Sequence, residues 1–196
     1  MRFLMQNLHP IRQELESGGG NNLINKEQVN FAKDNEYYTP KRIVKYFGEF
    51  DYDPATTKEK AEEFGIKNYD TIETNGLTTD WSKYKKIWIN PPFTEKHLFI
   101  KKAYETFKEN PQIYIYILFP IEFLTTKRFH DIAKNIGGKL FIPSGRIPFE
   151  SGLGKHSSTP AFGSVILLIQ DKWEIELIDI EKFDTQTNIF DFIGEE

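Results

Sequence analysis

The sequence contains no cysteine, which excludes disulfide bonds, cysteine-ligated zinc and catalysis by a thiol. Its four histidines stand at positions 9, 97, 130 and 156, a spacing that matches no metal-binding motif. No stretch approaches the roughly 20 apolar residues that a membrane-spanning helix needs, and the N-terminus lacks the apolar core of a secretion signal. We therefore expect no bound metal, no membrane partner and a protein of the cytoplasm.

The chain also lacks an excess of positive charge, because its 29 acidic residues outnumber its 25 basic ones and give a net charge of −4. The excess of acidic residues is unevenly distributed along the chain. Residues 171–196 hold nine acidic and two basic residues, whereas residues 1–170 hold 20 acidic and 23 basic ones. The chain thus has a mildly basic body and an acidic tail. Its short lysine clusters are typical either of a solvated surface or of a modest, salt-sensitive contact with nucleic acid.

A chain of 196 residues with 39% hydrophobic residues is expected to form one domain around one core. Residues 1–30 form a predicted N-terminal arm with a glycine-rich linker, and residues 31–196 form the predicted domain. In this domain strand and helix patterns alternate, which predicts an α/β fold with a mostly parallel sheet. The last two predicted strands, 162–170 and 172–180, are expected to pair as an antiparallel hairpin.

Capping signals predict where two of the helices begin. Thr39 is suited to be an N-cap with Pro40 in the first helical position. Thr57 is suited to cap a second helix, which Gly65 would close.

The most informative segment is Asn90-Pro91-Pro92-Phe93, which follows an apolar strand at 86–89. Two prolines cannot pair in a sheet, so the strand must end there. The segment then lies at the carboxyl end of a strand, where open α/β sheets bind ligands. The Asn side chain and the backbone supply carbonyl acceptors, and the ring supplies a stacking face. Together they suit a planar group with an exocyclic NH2, such as adenine or cytosine.

This segment resembles the [N/D/S]-P-P-[Y/F/W] motif of amino-methyltransferases, and the wider pattern resembles the phage-type DNA N-6-adenine methyltransferase family. Four further segments occur in that family's order within about 115 positions. They are Tyr-Tyr-Thr-Pro at 37–40, Phe-Asp-Tyr-Asp-Pro-Ala at 50–55, Asn-Gly-Leu at 75–77 with Asp-Trp at 80–81, and Gly-Arg-Ile-Pro-Phe at 145–149. The resemblance implies a Rossmann-like fold that depends on S-adenosylmethionine and uses DNA as its partner.

By this resemblance, Asn90 and the carbonyl of Pro91 would accept the two amino hydrogens of the target base. Pro92 would stiffen the turn, and Phe93 would stack on the base after it flips out of the duplex. The simpler alternative is that Asn90 caps the helix that begins near Thr94.

The resemblance also implies a set of residues that contact the cofactor. They are Tyr38, Thr39, Pro40, Asp51, Asp53, Pro54, Ala55 and Asp80. The alternatives are a plain helix start at Thr39, a turn capped by Asp53, and a solvated loop at Asp80. Of the two acids Asp51 and Asp53, one could bind the cofactor while the other holds a loop. The chain lacks the F-x-G-x-G loop of many methyltransferases, but the family that it resembles is also poor in that motif.

DNA contacts are expected from Arg146, in the late Gly-Arg-Ile-Pro-Phe motif, and from Lys155 and His156, in the polar loop after it. A surface Arg in a glycine turn is the alternative for Arg146. The chain offers little room for a separate recognition domain, so we expect a short target sequence or relaxed specificity.

The acceptor defines the alternatives at the level of function. The same turn serves enzymes that methylate cytosine N4, guanine in RNA or glutamine in proteins, while methylation at cytosine C5 is disfavoured because the chain has no Cys nucleophile. An inactive nucleic-acid-binding protein of the same fold is a further alternative. By resemblance, the gene is expected to belong to a phage or prophage and to protect DNA against restriction.

Overall fold

The computed structural model of the protein describes residues 37–134, 136–151 and 160–184. The predicted arm at 1–30 lies outside these ranges, as do Lys155 and His156. In the described part of the chain, no helix has both the length and the apolar character needed to cross a bilayer.

The described residues form short strands and helices that alternate along the chain. The strands are β1 (Tyr37–Tyr38), β2 (Tyr52–Asp53), β3 (Asn68–Tyr69), β4 (Lys86–Ile89), β5 (Tyr114–Pro120), β6 (Gly137–Pro143), β7 (Glu150–Ser151), β8 (Ser164–Gln170) and β9 (Glu174–Ile178). The α-helices are α1 (Lys41–Tyr46), α2 (Lys58–Phe64), α3 (Lys96–Glu109) and α4 (Lys127–Ala133). Two short 3-10 helices cover Ile121–Thr125 and Ile180–Phe183.

The predicted capping of α2 is confirmed. The hydroxyl of Thr57 accepts a hydrogen bond from the backbone N–H of Lys60, and Gly65 ends the helix in the left-handed conformation with φ of 78°. The predicted start of α1 is wrong by one residue, because Pro40 is the N-cap and Lys41 is the first helical residue. Thr39 therefore does not cap α1.

Seven strands of the described chain form one sheet in the order β3-β2-β4-β5-β8-β6-β9. Only β8 runs antiparallel to its neighbours, so the predicted α/β class with a mostly parallel sheet is confirmed. The direct pairing of the last two strands was wrong: β6 lies between β8 and β9, and β9 pairs with β6 in parallel. A small second sheet pairs β1 with β7.

Both faces of the large sheet are covered by helices, as the alternation of side chains along β4 illustrates. Ile87 and Ile89 join one apolar cluster with residues of α3 and α4. Trp88, which points to the opposite face, joins a second cluster with residues of α1 and α2. Since all three side chains are fully buried, β4 is a central strand whose carboxyl end is held firmly in place.

The chain order of the strands creates a crevice beside β4. After β2 the chain passes through α2 to β3 on one side, and then returns to β4 on the other side of β2. The direction of winding therefore reverses between β2 and β4. Ligands of open α/β sheets bind at the carboxyl ends of the strands at such a reversal.

Candidate active site

Asn90 follows β4 directly and is fixed by a hydrogen bond that spans the site. Its side-chain Nδ2 donates to the backbone carbonyl of Tyr37 at 2.7 Å. Tyr37 belongs to β1, which β7 holds through the register Tyr37↔Ser151. Because the amide nitrogen is engaged, Oδ1 is the atom left to accept hydrogen bonds. Asn90 does not cap a helix, since the N-cap of α3 is Glu95.

The prolines after Asn90 differ in their surroundings. Pro91 is buried and Pro92 is exposed. Phe93 is half-buried and belongs to a group of four rings, which we call the aromatic cluster: Tyr37, Phe93, Phe149 and Phe162. Ring centroids of Tyr37 and Phe162 lie 5.2 and 5.1 Å from that of Phe93, and Phe149 lies 5.8 Å from Tyr37. The cluster gathers the early, middle and late motifs around one turn.

Asp53 ends β2 and lies beside the crevice. Its side chain is almost completely buried, and Oδ1 accepts the backbone N–H of Ala55 at 3.0 Å. Burial raises the pKa of the carboxyl to about 7, because the hydrogen bond from Ala55 offsets only part of the lost hydration. The turn that the sequence offered as the alternative for Asp53 is thus present. The same carboxyl is also buried in the protein interior. Pro54 is buried and Ala55 is partly buried.

Thr39 and its neighbours form the adjoining wall. Thr39 is buried, and its Oγ1 has no hydrogen-bond partner among the described residues. Pro40 is buried as well, and Tyr38 is half-buried with the ammonium of Lys60 at 5.6 Å from its ring centroid. Lys60 also forms an ion pair with Glu150 of β7, which ties α2 to the small sheet. A buried hydroxyl without a partner is uncommon and indicates a position that a ligand can satisfy.

The structure separates Asp51 from Asp53. Tyr52 pairs with Ile87, so Asp51 lies level with the amino end of β4. Its Oδ2 accepts the backbone N–H groups of Lys85 and Lys86 at 3.1 and 3.0 Å. Asp51 therefore fills the loop-holding role that the sequence left open for one of the two acids, and the structure does not bring it to the crevice.

The loop at 75–80 crosses the end of β2. A Cβ on Gly76 would lie 2.1 Å from the carbonyl oxygen of Pro54, so this contact requires glycine. Lys102 of α3 holds the loop by donating to the carbonyls of Leu77 and Thr79, both at 2.6 Å. Asp80 is exposed, and its Oδ1 accepts from the backbone and the hydroxyl of Ser82.

Asp70 is a residue that the sequence reasoning missed. It follows β3 and lies next to the end of β2, where its backbone N–H donates to the carbonyl of Asp53 at 2.9 Å. Its Oδ2 accepts from the hydroxyls of Tyr52 and Thr79. Burial opposes ionisation, but these hydrogen bonds outweigh it and lower the pKa of Asp70. The available signal was an acidic residue directly after a parallel strand, the position that binds ribose hydroxyls in dinucleotide-binding folds.

The late motif supplies both packing and an exposed charge. Ile147 and Phe149 are buried, whereas Arg146 is exposed. Arg146 follows β6, so it lies at the same edge of the sheet as Asn90. In the described part of the chain, no group of three metal-ligating side chains comes together.

The carboxyl edge of this open α/β sheet thus carries a buried acid at the end of β2 and an anchored Asn after β4, with the aromatic cluster beside them. Ligands of open α/β sheets bind at this edge. Residues 27–189 match the family described as DNA N-6-adenine-methyltransferase (Dam). The chain belongs to this family, as the resemblance predicted.

Two known proteins illustrate the relationship. A DNA N-6-adenine-methyltransferase of Escherichia phage T1 is 31% identical over 157 residues, which are 71% of this chain and 64% of the relative. The chain thus spans somewhat less than two thirds of that relative's length. A solved structure from Listeria monocytogenes, assigned to the class I S-adenosylmethionine-dependent methyltransferases, aligns with a TM-score of 0.39 and 14% identity over 60% of this chain and 44% of that one. A likeness at this level adds nothing to the assignment.

Proposed function

We propose that this protein transfers a methyl group from S-adenosylmethionine to the exocyclic amino group of adenine in DNA. The observation that carries the proposal is the anchored amide of Asn90, whose nitrogen is bound by Tyr37 while its oxygen stays available. Family membership supports adenine in DNA as the acceptor. An enzyme with this acceptor would work in the cytoplasm, and the phage source of the relative agrees with a phage or prophage setting.

The residues beside β2 fit the cofactor. When bound, S-adenosylmethionine supplies a methyl group on a sulfonium, which is a good leaving group. The unpartnered hydroxyl of Thr39 and the buried carboxyl of Asp53 are suited to its polar groups, and Asp70 is suited to its ribose hydroxyls. Tyr38, Pro40, Pro54 and Ala55 would complete the walls. Asp80 would need to turn away from Ser82 to take part.

The residues beside β4 fit the base. Oδ1 of Asn90 and the carbonyl of Pro91 would accept the two amino hydrogens and so orient the lone pair of the nitrogen. The bond to Tyr37 fixes the Asn90 amide in advance, which lowers the entropic cost of reaching the reactive geometry. Phe93 and the aromatic cluster would stack on the flipped base and keep water away. Catalysis would then rest on position and electrostatics, without a covalent intermediate.

Product analysis tests the proposal. Purified protein is incubated with methyl-free DNA and S-adenosylmethionine, and the digested nucleosides are separated and weighed by mass spectrometry. We expect N6-methyladenine. N4-methylcytosine would support the same site but identify cytosine as the target base. Cofactor binding without any methylated nucleoside would point to an RNA or protein acceptor. Absence of both product and cofactor binding would favour an inactive binding protein.

A further inference from the structure

An open groove lies between the N-terminal half of α3 and helix α4. Its volume is about 460 Å³, and its walls carry mainly basic side chains: His97, Lys101, Lys127, Arg128, Asp131 and Ile132. Helix α3 follows the carboxyl end of β4, and α4 follows that of β5. The groove therefore opens at the edge of the sheet that holds Asn90.

Lys96 connects the groove to the reactive turn. Its ammonium donates to the backbone carbonyl of Phe93, and it lies one residue before His97 in the groove wall. At a rise of about 1.5 Å per residue, Lys101 is only about 7.5 Å farther along α3 than Lys96. Successive phosphates of a DNA strand are about 3.4 Å apart along the helix axis. The groove is thus within a few nucleotides of a base held by Asn90.

The positive charge in the groove is incompletely neutralised. Burial lowers the pKa of Lys96 and of His97, and the nearby guanidinium of Arg128 lowers both further. Among the described residues Arg128 forms no ion pair.

Neighbouring carboxylates compensate for only part of this charge. Lys127 pairs with Asp131 at 2.5 Å, and Lys101 lies 3.6 Å from Glu105 in a pair whose members are both more than half exposed. Exposed ion pairs of this kind contribute little free energy, so another anion can readily replace the carboxylate.

We propose that this groove binds backbone phosphates of the DNA strand next to the target adenine. The inference rests on the proposed function, and it assigns the DNA path to the α3–α4 side of the reactive turn. Guanidinium, ammonium and imidazole N–H groups are the donors that phosphate oxygens take. An open trough suits a strand that passes through it, and such contacts hold the backbone without reading sequence.

The test compares two double variants that remove the same charge. Lys101→Gln with Arg128→Gln changes the groove, while Lys85→Gln with Lys108→Gln removes two exposed lysines at the opposite edge, before β4 and at the end of α3. Binding of a fluorescein-labelled, methyl-free duplex is followed by anisotropy between about 50 and 200 mM salt. Circular dichroism checks that both proteins fold.

We expect the groove variant to bind roughly tenfold more weakly and its salt slope to fall by about 1 to 2, since each phosphate contact contributes about 0.9 to the slope. Its affinity for S-adenosylmethionine and its kcat at saturating DNA should stay unchanged, with the loss confined to KM. The control variant should behave nearly like the wild type.

The outcomes separate this inference from the proposed function. A wild type that methylates adenine, with a groove variant of unchanged affinity and salt slope, would overturn the groove alone. A wild type that binds DNA through the groove and transfers no methyl group would support the contact and overturn the activity. A wild type that binds no DNA would overturn both.

Discussion

At the scale of single residues, Asn90 is held by a partner that no motif specifies. The carbonyl of Tyr37 comes from a two-residue strand 53 positions earlier and takes the amide nitrogen of Asn90. The sequence motif predicts an acceptor at Asn90, and the structure shows the hydrogen bond that fixes its side chain. A backbone carbonyl leaves no trace in residue identity, so sequence reasoning had no means of finding it.

The buried carboxyl of Asp53 should make the stability of the protein depend on pH. Burial raises its pKa from 3.8 to about 7, so the folded state favours the protonated form. The contribution of this group to the free energy of unfolding is therefore largest below pH 4 and declines as the pH rises through 7. At about 1.36 kcal/mol for each unit of pKa shift, the decline is at most about 4 kcal/mol.

Asp53→Asn should therefore be more stable than the wild type at pH 8 and gain little at pH 4, because the amide keeps an acceptor for Ala55 and cannot ionise. Urea unfolding of both proteins across this range measures the difference. The same variant should lose affinity for S-adenosylmethionine. A stability difference that stays constant with pH would show that Asp53 ionises as freely in the folded protein as in the unfolded one.

At the scale of structural elements, the loop at 75–80 depends on a close contact with the end of β2. Gly76→Ala should push the loop away from Pro54, destabilise the fold by about 1–3 kcal/mol and weaken cofactor binding. Gly163→Ala is the matched control, because its Cβ would meet only an ordinary contact at 3.4 Å from Ile121. Thermal unfolding and cofactor titration check both variants. Equal behaviour of the two would exclude the loop from the site.

The sequence predicted the positions of strands and helices better than it predicted which strands pair in the sheet. Strand β4 and helix α2 have strong local signals, namely an apolar run before two prolines and a Thr cap with a closing Gly, and both appear where expected. The pairing of β8 is a nonlocal choice: a short turn favours a hairpin, but β6 is inserted between its two strands. The two-residue strands β1 and β7 are too short to produce any periodic pattern.

Site prediction had a similar limit. The motifs singled out Asn90, Asp53 and Thr39. Asp53 and Asn90 lie at the carboxyl ends of β2 and β4, and Thr39 lies two residues after Tyr37, which holds the Asn90 amide. Asp51 was grouped with Asp53 by their spacing of two, yet the strand is so short that one acid lies at each end. Asp70 was overlooked because it follows a strand of two residues, which is too short to produce a periodic pattern.

At the scale of the whole molecule, the described residues all belong to one compact unit, which is built on the sheet and its covering helices. Sequence recognition would then rest on segments that join the strands and helices, such as the late motif with Arg146, and phosphate contacts in the groove would add affinity without specificity. We expect methylation at a short or loosely defined sequence. Mapping of methylated adenines on randomised DNA measures this, and a strict requirement for a long, fully specified site would contradict it.

If the anchored Asn90 turn performs methyl transfer, its loss should stop the reaction and leave cofactor binding intact. The most direct measurement is the rate of N6-methyladenine formation together with S-adenosylmethionine affinity in Asn90→Ala. Asn68→Ala is the control, since Asn68 also donates its Nδ2 to a backbone carbonyl, that of Asp51 at 3.0 Å, away from the site. We expect Asn90→Ala to abolish transfer while its affinity for S-adenosylmethionine stays within a few fold of the wild type, and we expect Asn68→Ala to stay active. Transfer that survives in Asn90→Ala, or loss of cofactor binding in a folded Asn90→Ala protein, would contradict it.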